Sequence, residues 1–152
     1  MAKAAVVREY GAEEVIDYSR EDVRQRVKVI TGDEGLDVCI ENVGGTLFAT
    51  IARLMRWNGR LMPIGFTSGE VPSVAMNLPL LKNYSIVGVF TGAWTERFPD
   101  EAVRGAETVM AWVGEGKLHP RIDRVLPLDR AAEAMTAIAN RTAQGRIVLQ
   151  VR

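Results

Sequence analysis

The chain has 152 residues, 47% of them hydrophobic and 25% charged, which is the length and balance of one globular domain with a sizeable core. Nineteen basic residues offset nineteen acidic ones, and the single cysteine is Cys39, so the composition gives no reason to expect a nucleic-acid partner, a disulfide or a multi-cysteine metal site. No apolar run approaches the roughly 20 residues that span a bilayer, and the start "MAKAAVV" lacks the long apolar stretch of a signal peptide. We therefore expect a cytoplasmic protein without a membrane partner.

The first predicted elements are a helix, a strand and a second helix. Residues 2–10 are rich in good helix formers. The stretch "EEVIDY", residues 13–18, has β-branched residues at its centre and predicts a short strand. Ser19 and Asp22 then have the spacing of a capping box at the start of the next helix. The apolar face of that helix consists of Val23, Val27 and Ile30.

The middle of the chain continues the alternation of strand and helix. Residues 36–45, "LDVCIENVGG", begin with an apolar run without alternation, which is typical of a strand covered on both faces. Residues 46–57 have apolar positions at helical spacing, and residues 60–66, "RLMPIGF", and 85–90, "SIVGVF", predict two further strands. This alternation predicts an α/β fold with a parallel sheet.

The pattern changes beyond residue 90. Residues 100–116 predict an amphipathic helix with an inward apolar face, and residues 118–128 read as an extended segment interrupted by two prolines. A helix over 130–140 and a strand over 145–151, "GRIVLQV", complete the chain. The inward face of the amphipathic helix is predicted to consist of Val103, Ala106, Met110 and Val113.

The segments "GAEEVIDY", "GLDVCIENVGG", "NGRLMPIGFTSG", "LLKNYSIVGVF" and "KLHPRIDRVLPLDRAAEAM" followed by "GRIVL" cover nearly the whole chain. In this order and spacing the chain resembles the C-terminal half of the zinc-free quinone oxidoreductases, the zeta-crystallin-like branch of the medium-chain dehydrogenase/reductase superfamily. Members of that family have a catalytic domain followed by a Rossmann domain that binds NADPH. The resemblance implies a partial Rossmann-like domain over about residues 1–117, and a segment over about 118–152 that in the family returns to the catalytic domain.

The resemblance also implies which parts of a Rossmann domain are absent. Its first two strands and its glycine-rich phosphate loop have no counterpart, since the sequence contains no G-x-G-x-x-G. With the strand order 3-2-1-4-5-6, residues 13–18 are strand 3 and residues 36–41 are strand 4, so both missing strands belong between them. We expect two open edges there, which close together, accept another chain or aggregate. We also expect NADPH binding to be weakened or lost, and the C-terminal strands to lack their usual partners.

Ten residues are implied as cofactor contacts. Lys3 and Tyr18 stand eight residues before and seven after Gly11, where NADPH-dependent relatives hold the ribose 2′-phosphate and the adenine. An ammonium group pairs with phosphate, and a phenol stacks and hydrogen-bonds. Without the resemblance these residues are ordinary surface side chains, and the others are strand-end turns, core aromatics or an exposed arginine. The full set is Lys3, Tyr18, Asn42, Val43, Ile64, Gly65, Phe66, Phe90, Thr91 and Arg141.

No residue is predicted to be catalytic or to bind a metal. His119 is the only histidine, and NADPH itself carries the hydride in this family. The implied function is NADPH-dependent reduction of a quinone or an enone, and we expect the chain by itself to be inactive. Two alternatives remain open, an enoyl reductase of the same superfamily and a non-catalytic module that forms a homodimer through the uncharged strand at 85–90.

Overall fold

The computed structural model describes residues 2–152 as two compact units. One unit, here called the sheet unit, is Ala12–Arg97. The other, the terminal unit, combines the N-terminal residues through Gly11 with Phe98–Arg152. The helices are α1 Ala2–Glu9, α2 Val23–Thr31, α3 Gly45–Leu54, α4 Asn77–Lys82, α5 Thr91–Arg97, α6 Pro99–Gly114 and α7 Ala131–Ala139, and the strands are β1 Leu36–Glu41, β2 Met55–Pro63, β3 Ser85–Ile86, β4 Ile122–Pro127 and β5 Arg146–Gln150.

The sheet unit contains a three-stranded parallel sheet in the order β1-β2-β3. The predicted α/β fold class with a parallel sheet is thus confirmed. Cys39 of β1 stands opposite Leu61 of β2, which in turn stands opposite Ile86 of β3. This is the order 4-5-6 expected for the second half of a Rossmann sheet.

The core of this unit lies where α3 packs on β2. Phe48 and Ala52 of α3 join Met55, Leu61 and Tyr84 in one buried cluster. Met55 and Leu61 are fully buried, because the central strand is paired on both edges and covered by the helix. Burial of such side chains is the main favourable contribution to folding.

The predicted strand at residues 13–18 is wrong, since these residues have no regular secondary structure. A strand requires a neighbour with which to exchange backbone hydrogen bonds, and strand 3 of a Rossmann sheet pairs with strand 2. The segment does not pair with β1 either, so the expected gap is not closed by joining its two sides. The outer edge of β1 has no strand partner within the described chain, and Ile40 is 67% exposed.

Helix α2 begins at a different cap from the predicted one. Asp22 is the N-cap residue, and its carboxylate accepts the Gln25 N–H at 3.1 Å. The Ser19 side chain and N–H donate instead to the Asp17 carboxylate, which lowers the pKa of Asp17. Asp22 therefore satisfies a free amide of the first turn, while Ser19 is already engaged with Asp17.

The boundary between α3 and β2 lies earlier than predicted. The helix ends at Leu54, and the Lys82 ammonium donates to the carbonyls of Arg53 and Met55 at 2.7 and 3.0 Å. Gly59 is buried where a Cβ atom would stand 2.8 Å from the Leu36 carbonyl oxygen, so only glycine lets β2 approach β1 there.

The strand predicted at residues 85–90 is present, although only Ser85–Ile86 has regular strand pairing. The hydrogen bonds continue beyond it, because Val87 N–H donates to Leu61 at 2.9 Å and Val89 N–H to Pro63 at 3.1 Å. The extended backbone therefore follows β2 to its carboxyl end.

The terminal unit contains a second parallel pair, β4 with β5. These are the strands that were expected to lack their usual partners; here they pair with each other, with α7 between them in the sequence, and Val125 stands opposite Val148. Leu126 of β4 and the alanines Ala134 and Ala137 of α7 are the buried hydrophobic residues of this part of the described chain.

The predicted inward face of α6 is wrong. None of the side chains of α6 is buried, and Met110 is 68% exposed. The sequence encodes an amphipathic helix, but in the described residues no element covers its apolar face. Periodicity predicts which side of a helix is apolar, and a partner is needed before that side is buried.

Candidate functional site

Two loops at the carboxyl ends of β1 and β2 are joined by backbone hydrogen bonds. The first, the β1 loop, is residues 42–45, and the second, the β2 loop, is residues 64–70. The N–H groups of Thr67 and Ser68 donate to the carbonyls of Asn42 and Val43, both at 2.9 Å. The Gly45 N–H donates to the Glu70 carbonyl at 3.2 Å. These contacts hold the two loops together at the edge of the sheet where ligands bind in open α/β folds.

The β1 loop turns sharply at Gly44, which has φ +79° and ψ −155°. A Cβ atom at this position would stand 2.6 Å from the Glu70 carbonyl oxygen and 3.2 Å from Phe66. Both the dihedral angle and the space therefore require glycine. This explains locally why the sequence "NVGG" follows the strand.

Glu41, the last residue of β1, is 4% exposed and supports this loop from inside. One carboxylate oxygen accepts the Val43 N–H at 2.8 Å, and both oxygens lie 3.1 Å from the Gly44 N–H. Its negative charge is a secondary cause of the raised pKa of Cys39, which comes first from burial of the thiol.

The residues predicted at the strand ends line these loops, largely exposed. Asn42, Ile64, Phe66 and Thr91 are exposed, and Phe90 is 78% exposed. Neither Phe66 nor Phe90 is therefore a core aromatic. All of the predicted strand-end residues belong to the sheet unit, namely Asn42, Val43, Ile64, Gly65, Phe66, Phe90 and Thr91.

The backbone at Gly65 faces open space. A Cβ atom at Gly65 would meet no other atom within 4 Å, in contrast to the crowded position at Gly44. The backbone of β2 is thus open to close approach where its strand ends.

Lys3 and Arg141 line one cleft in the terminal unit, with a volume of about 620 Å³. Arg121 and Arg146 line the same cleft, so four cationic side chains surround it. Arg121 pairs with Glu9 at 3.4 Å, and its Nε atom is buried without a hydrogen-bond partner in the described chain. We call this group of Lys3, Arg121, Arg141 and Arg146 the cationic cleft.

The loop that carries Arg141 is fixed by the end of α7. Arg141 has φ +56°, and its N–H donates to Ile138 at 3.0 Å, while the Thr142 N–H donates to Ala137 at 2.9 Å. The Arg146 N–H donates to the Arg121 carbonyl at 2.8 Å, which brings the starts of β4 and β5 together. The cleft is thus built on ordered backbone.

Tyr18 belongs to the sheet unit. It is exposed and lines a separate cleft of about 260 Å³ in the sheet unit, together with Asp22, Arg24 and Thr46. The resemblance implies that Lys3 and Tyr18 face the ribose 2′-phosphate and the adenine end, and these two residues belong to different units.

Sequence reasoning missed Glu41, Arg121 and Arg146. Arg121 and Arg146 stand just before and at the start of two strands that pair in parallel, and the pairing itself could not be read from the sequence. Glu41 could have been noticed as an acid that ends an apolar strand directly before "NVGG". A charged residue at a strand end is more often a solvated one, so that signal is weak.

Within residues 2–152, no three His, Cys, Asp or Glu side chains gather where they could hold a metal ion. No helix in the described part of the chain has the length and apolar character needed to cross a bilayer.

Parallel strands whose carboxyl ends form a ligand-facing edge define the Rossmann-like class of nucleotide-binding domains. The family model described as zinc-binding dehydrogenase matches residues 10–149, and the chain belongs to this family. A quinone oxidoreductase-like protein 2 homolog of Nematostella vectensis is 35% identical over 151 residues, which are 99% of this chain and 41% of that protein. The quinone oxidoreductase of Pseudomonas aeruginosa is 30% identical over 148 residues, 97% of this chain and 45% of that protein.

Solved structures agree with this assignment. The mycobacterial protein Rv1454c, complexed with NADPH, matches with a TM-score of 0.82 and 25% identity over 99% of this chain and 47% of that one. The chain therefore resembles the quinone oxidoreductase branch and spans less than half the length of these relatives.

The residues present fit part of a dinucleotide cofactor. The four cations of the cationic cleft suit a phosphate group, and the open edge beside Gly65 suits a flat ring or a ribose. The turn into α3 is less suited to a pyrophosphate, because the amides of Val43 and Gly44 are bonded to the Glu41 carboxylate and that of Gly45 to the Glu70 carbonyl.

Proposed function

We propose that the chain is the cofactor-binding part of an NADPH-dependent oxidoreductase of the quinone-reductase type. The observation that carries the proposal is the cationic cleft, where Lys3 and Arg141 lie with two further arginines. A group of cations around one cleft favours a ligand with an additional phosphate, which distinguishes NADPH from NADH. The similarity to quinone oxidoreductases supports the reaction class.

In this proposal the chain binds and orients, while NADPH supplies a hydride to the acceptor. Lys3 and Arg141 hold the ribose 2′-phosphate. Asn42, Ile64 and Phe66 line the nicotinamide side, together with Val43, Gly65, Phe90 and Thr91. The acceptor, a quinone or an enone, is not contacted by any residue that we assign here. Tyr18 is assigned to the adenine end.

The experiment is a titration of the purified chain with NADPH and NADH, followed by calorimetry. We expect saturable binding that is tighter for NADPH. Lys3→Ala and Arg141→Gln each lower NADPH affinity by about tenfold or more, because each removes a charge-assisted contact, and leave NADH affinity unchanged. Lys117→Ala is the matched control, since Lys117 pairs with Glu115 in the same unit.

Equal affinity for both cofactors, or equal loss in the control, would contradict the role of the cationic cleft. We expect no steady-state NADPH consumption with a simple quinone from the chain alone. Turnover that is abolished by Lys3→Ala would show that the chain is a complete enzyme.

A second proposal concerns a homodimer through residues 85–90. Val87 and Val89 direct their N–H groups to β2, so the backbone groups of Gly88 face the open side of the sheet. The segment carries no charge, and an uncharged free edge pairs readily with a second strand. Sedimentation of the wild type and of Val87→Lys tests this, with Val103→Lys as a control on exposed α6. A wild-type monomer at all concentrations would refute it.

A further inference from the structure

Glu41 is the one buried charged residue among the residues that the structure describes. A buried carboxylate is costly unless hydrogen bonds replace its hydration. Here both oxygens accept backbone N–H groups, from Val43 and Gly44, between 2.8 and 3.1 Å. The backbone carbonyl of Glu41 also accepts the Ile64 N–H at 2.8 Å. One residue thus contacts both loops that carry the predicted nicotinamide-side residues.

These hydrogen bonds determine which groups of the β1 loop face the solvent. Because the amides of Val43 and Gly44 point inward to the carboxylate, the turn at Gly44 is closed around Glu41, and the Asn42 side chain remains exposed. The carbonyls of Asn42 and Val43 are held by the β2 loop. The side of the β1 loop that faces solvent therefore offers side chains rather than free amides.

The same carboxylate also decides what kind of group the loop accepts. A helix start commonly binds phosphate through free N–H groups. Just before α3 the Val43 and Gly44 amides are bonded to Glu41, and the Gly45 N–H, the first of the helix, is bonded to the Glu70 carbonyl. A phosphate at this turn would find these three amides occupied and would meet a negative charge. The loop is suited to the uncharged end of a dinucleotide.

We propose that Glu41 is a positioning residue, which fixes the β1 loop in the conformation that contacts the nicotinamide end of the cofactor. This inference rests on the proposed function, because it assigns a role within the same cofactor site. It predicts that Glu41 affects the nicotinamide part of binding and does not affect the part contributed by the adenosine phosphates.

The test compares NADPH with adenosine 2′,5′-bisphosphate, which has the 2′-phosphate but no nicotinamide. Glu41→Gln keeps the size of the side chain but places an amide N–H₂ beside the Gly44 N–H, so two donors face each other. We expect about a tenfold loss of NADPH affinity and an unchanged affinity for the bisphosphate. A residue that only stabilised the fold would weaken both ligands together.

Two further variants sharpen the result. Glu41→Asp retains a carboxylate, and an aspartate readily accepts the N–H two residues ahead, here that of Val43, so we expect partial recovery of NADPH affinity. Glu13→Gln removes an exposed carboxylate of the same unit that lies outside both loops, and we expect no change. Amide hydrogen exchange provides a measurement without ligand, in which Val43 and Gly44 lose protection in Glu41→Gln and regain part of it in Glu41→Asp.

The outcomes separate this inference from the proposed function. If the wild type binds neither ligand, the proposed function fails and the role of Glu41 fails with it. If the wild type binds both ligands equally, or Glu41→Gln weakens both or neither, cofactor binding stands and the role of Glu41 is refuted. An equal effect of Glu13→Gln would also refute it, because the loss of any negative charge would then explain the change.

Discussion

The sheet unit and the terminal unit both contain parallel strands joined through a helix, but they bury very different side chains. In the sheet unit, α3 places Phe48 against Met55 and Leu61. In the terminal unit, α7 contacts β4, and the buried hydrophobic residues of these two elements are Ala134, Ala137 and Leu126. Because stabilisation follows the apolar area removed from water, parallel pairing alone does not make an equally stable unit. The stability of each unit depends on the size of the side chains that are buried between its helix and its sheet.

The sharpest test of this comparison truncates one leucine in each unit. Leu61→Ala removes a fully buried side chain and should lower the free energy of unfolding by about 4 kcal/mol, whereas Leu126→Ala should cost about 2 kcal/mol because smaller neighbours surround it. Urea denaturation followed by circular dichroism measures both. Equal losses would show that the two cores are packed alike.

A smaller effect is expected at the loops of the sheet unit. Gly44→Ala should lower stability by about 2 to 3 kcal/mol, because it adds a clash with the Glu70 carbonyl to a strained positive φ. The matched control is Gly69→Ala, which has φ +83° but meets no atom within 4 Å, and should cost about 1 kcal/mol. Thermal unfolding of the two variants separates dihedral strain from crowding. Similar losses would mean that the loops do not pack as described.

The core of the sheet unit also contains a buried polar group without a partner in residues 2–152, which a mutation can remove. The Tyr84 hydroxyl is buried without a hydrogen-bond partner in the described residues, and Tyr84→Phe should raise stability by up to about 1 kcal/mol. Burial also raises the pKa of Tyr84 above its usual 10. The unfolded chain then loses this proton first, so wild-type stability should fall as pH rises above 10, and the variant should lack this contribution. Denaturation curves at neutral and alkaline pH check both statements.

The smallest effect concerns how α1 is held in the terminal unit. Arg121 and Glu9 pair at 3.4 Å, with the Glu9 side chain largely exposed. Such pairs contribute less than about 1 kcal/mol, so Glu9→Gln should change stability by no more than that and lose its effect at high salt. Denaturation at two salt concentrations is the measurement. A large loss would show that α1 contributes more to the terminal unit than an exposed ion pair can.

Much of the fold could be predicted from the sequence where neighbouring strands are close in the chain. The apolar run at 36–41 and the strands near 60 and 85 were identified, with their order in the sheet. The prediction of a strand at 13–18 was wrong, because strand formation depends on a partner strand that sequence periodicity does not reveal. The inward face of α6 failed for the same reason, since an apolar face is a property of the sequence and its burial is a property of the neighbours.

The candidate site was predictable in part. Lys3 and Arg141, 138 residues apart in the sequence, line one cleft, although their roles remain predictions. Arg121 and Arg146 were not identified, because their proximity depends on the parallel pairing of β4 with β5. Glu41 was missed because a hydrogen bond from a side chain to the amides that follow it leaves no spacing signal in the residue types.

The pairing registers have a consequence for the kinetics of folding. Cys39 and Leu61, Leu61 and Ile86, and Val125 and Val148 stand opposite each other, and these partners are 22, 25 and 23 residues apart in the sequence. Each strand pair therefore closes a loop of nearly the same length, at nearly the same entropic cost. Parallel sheets are usually slow to form because their strands must meet over long sequence separations. Here each pairing is local, so both units can reach their strand pairings without waiting for a distant part of the chain.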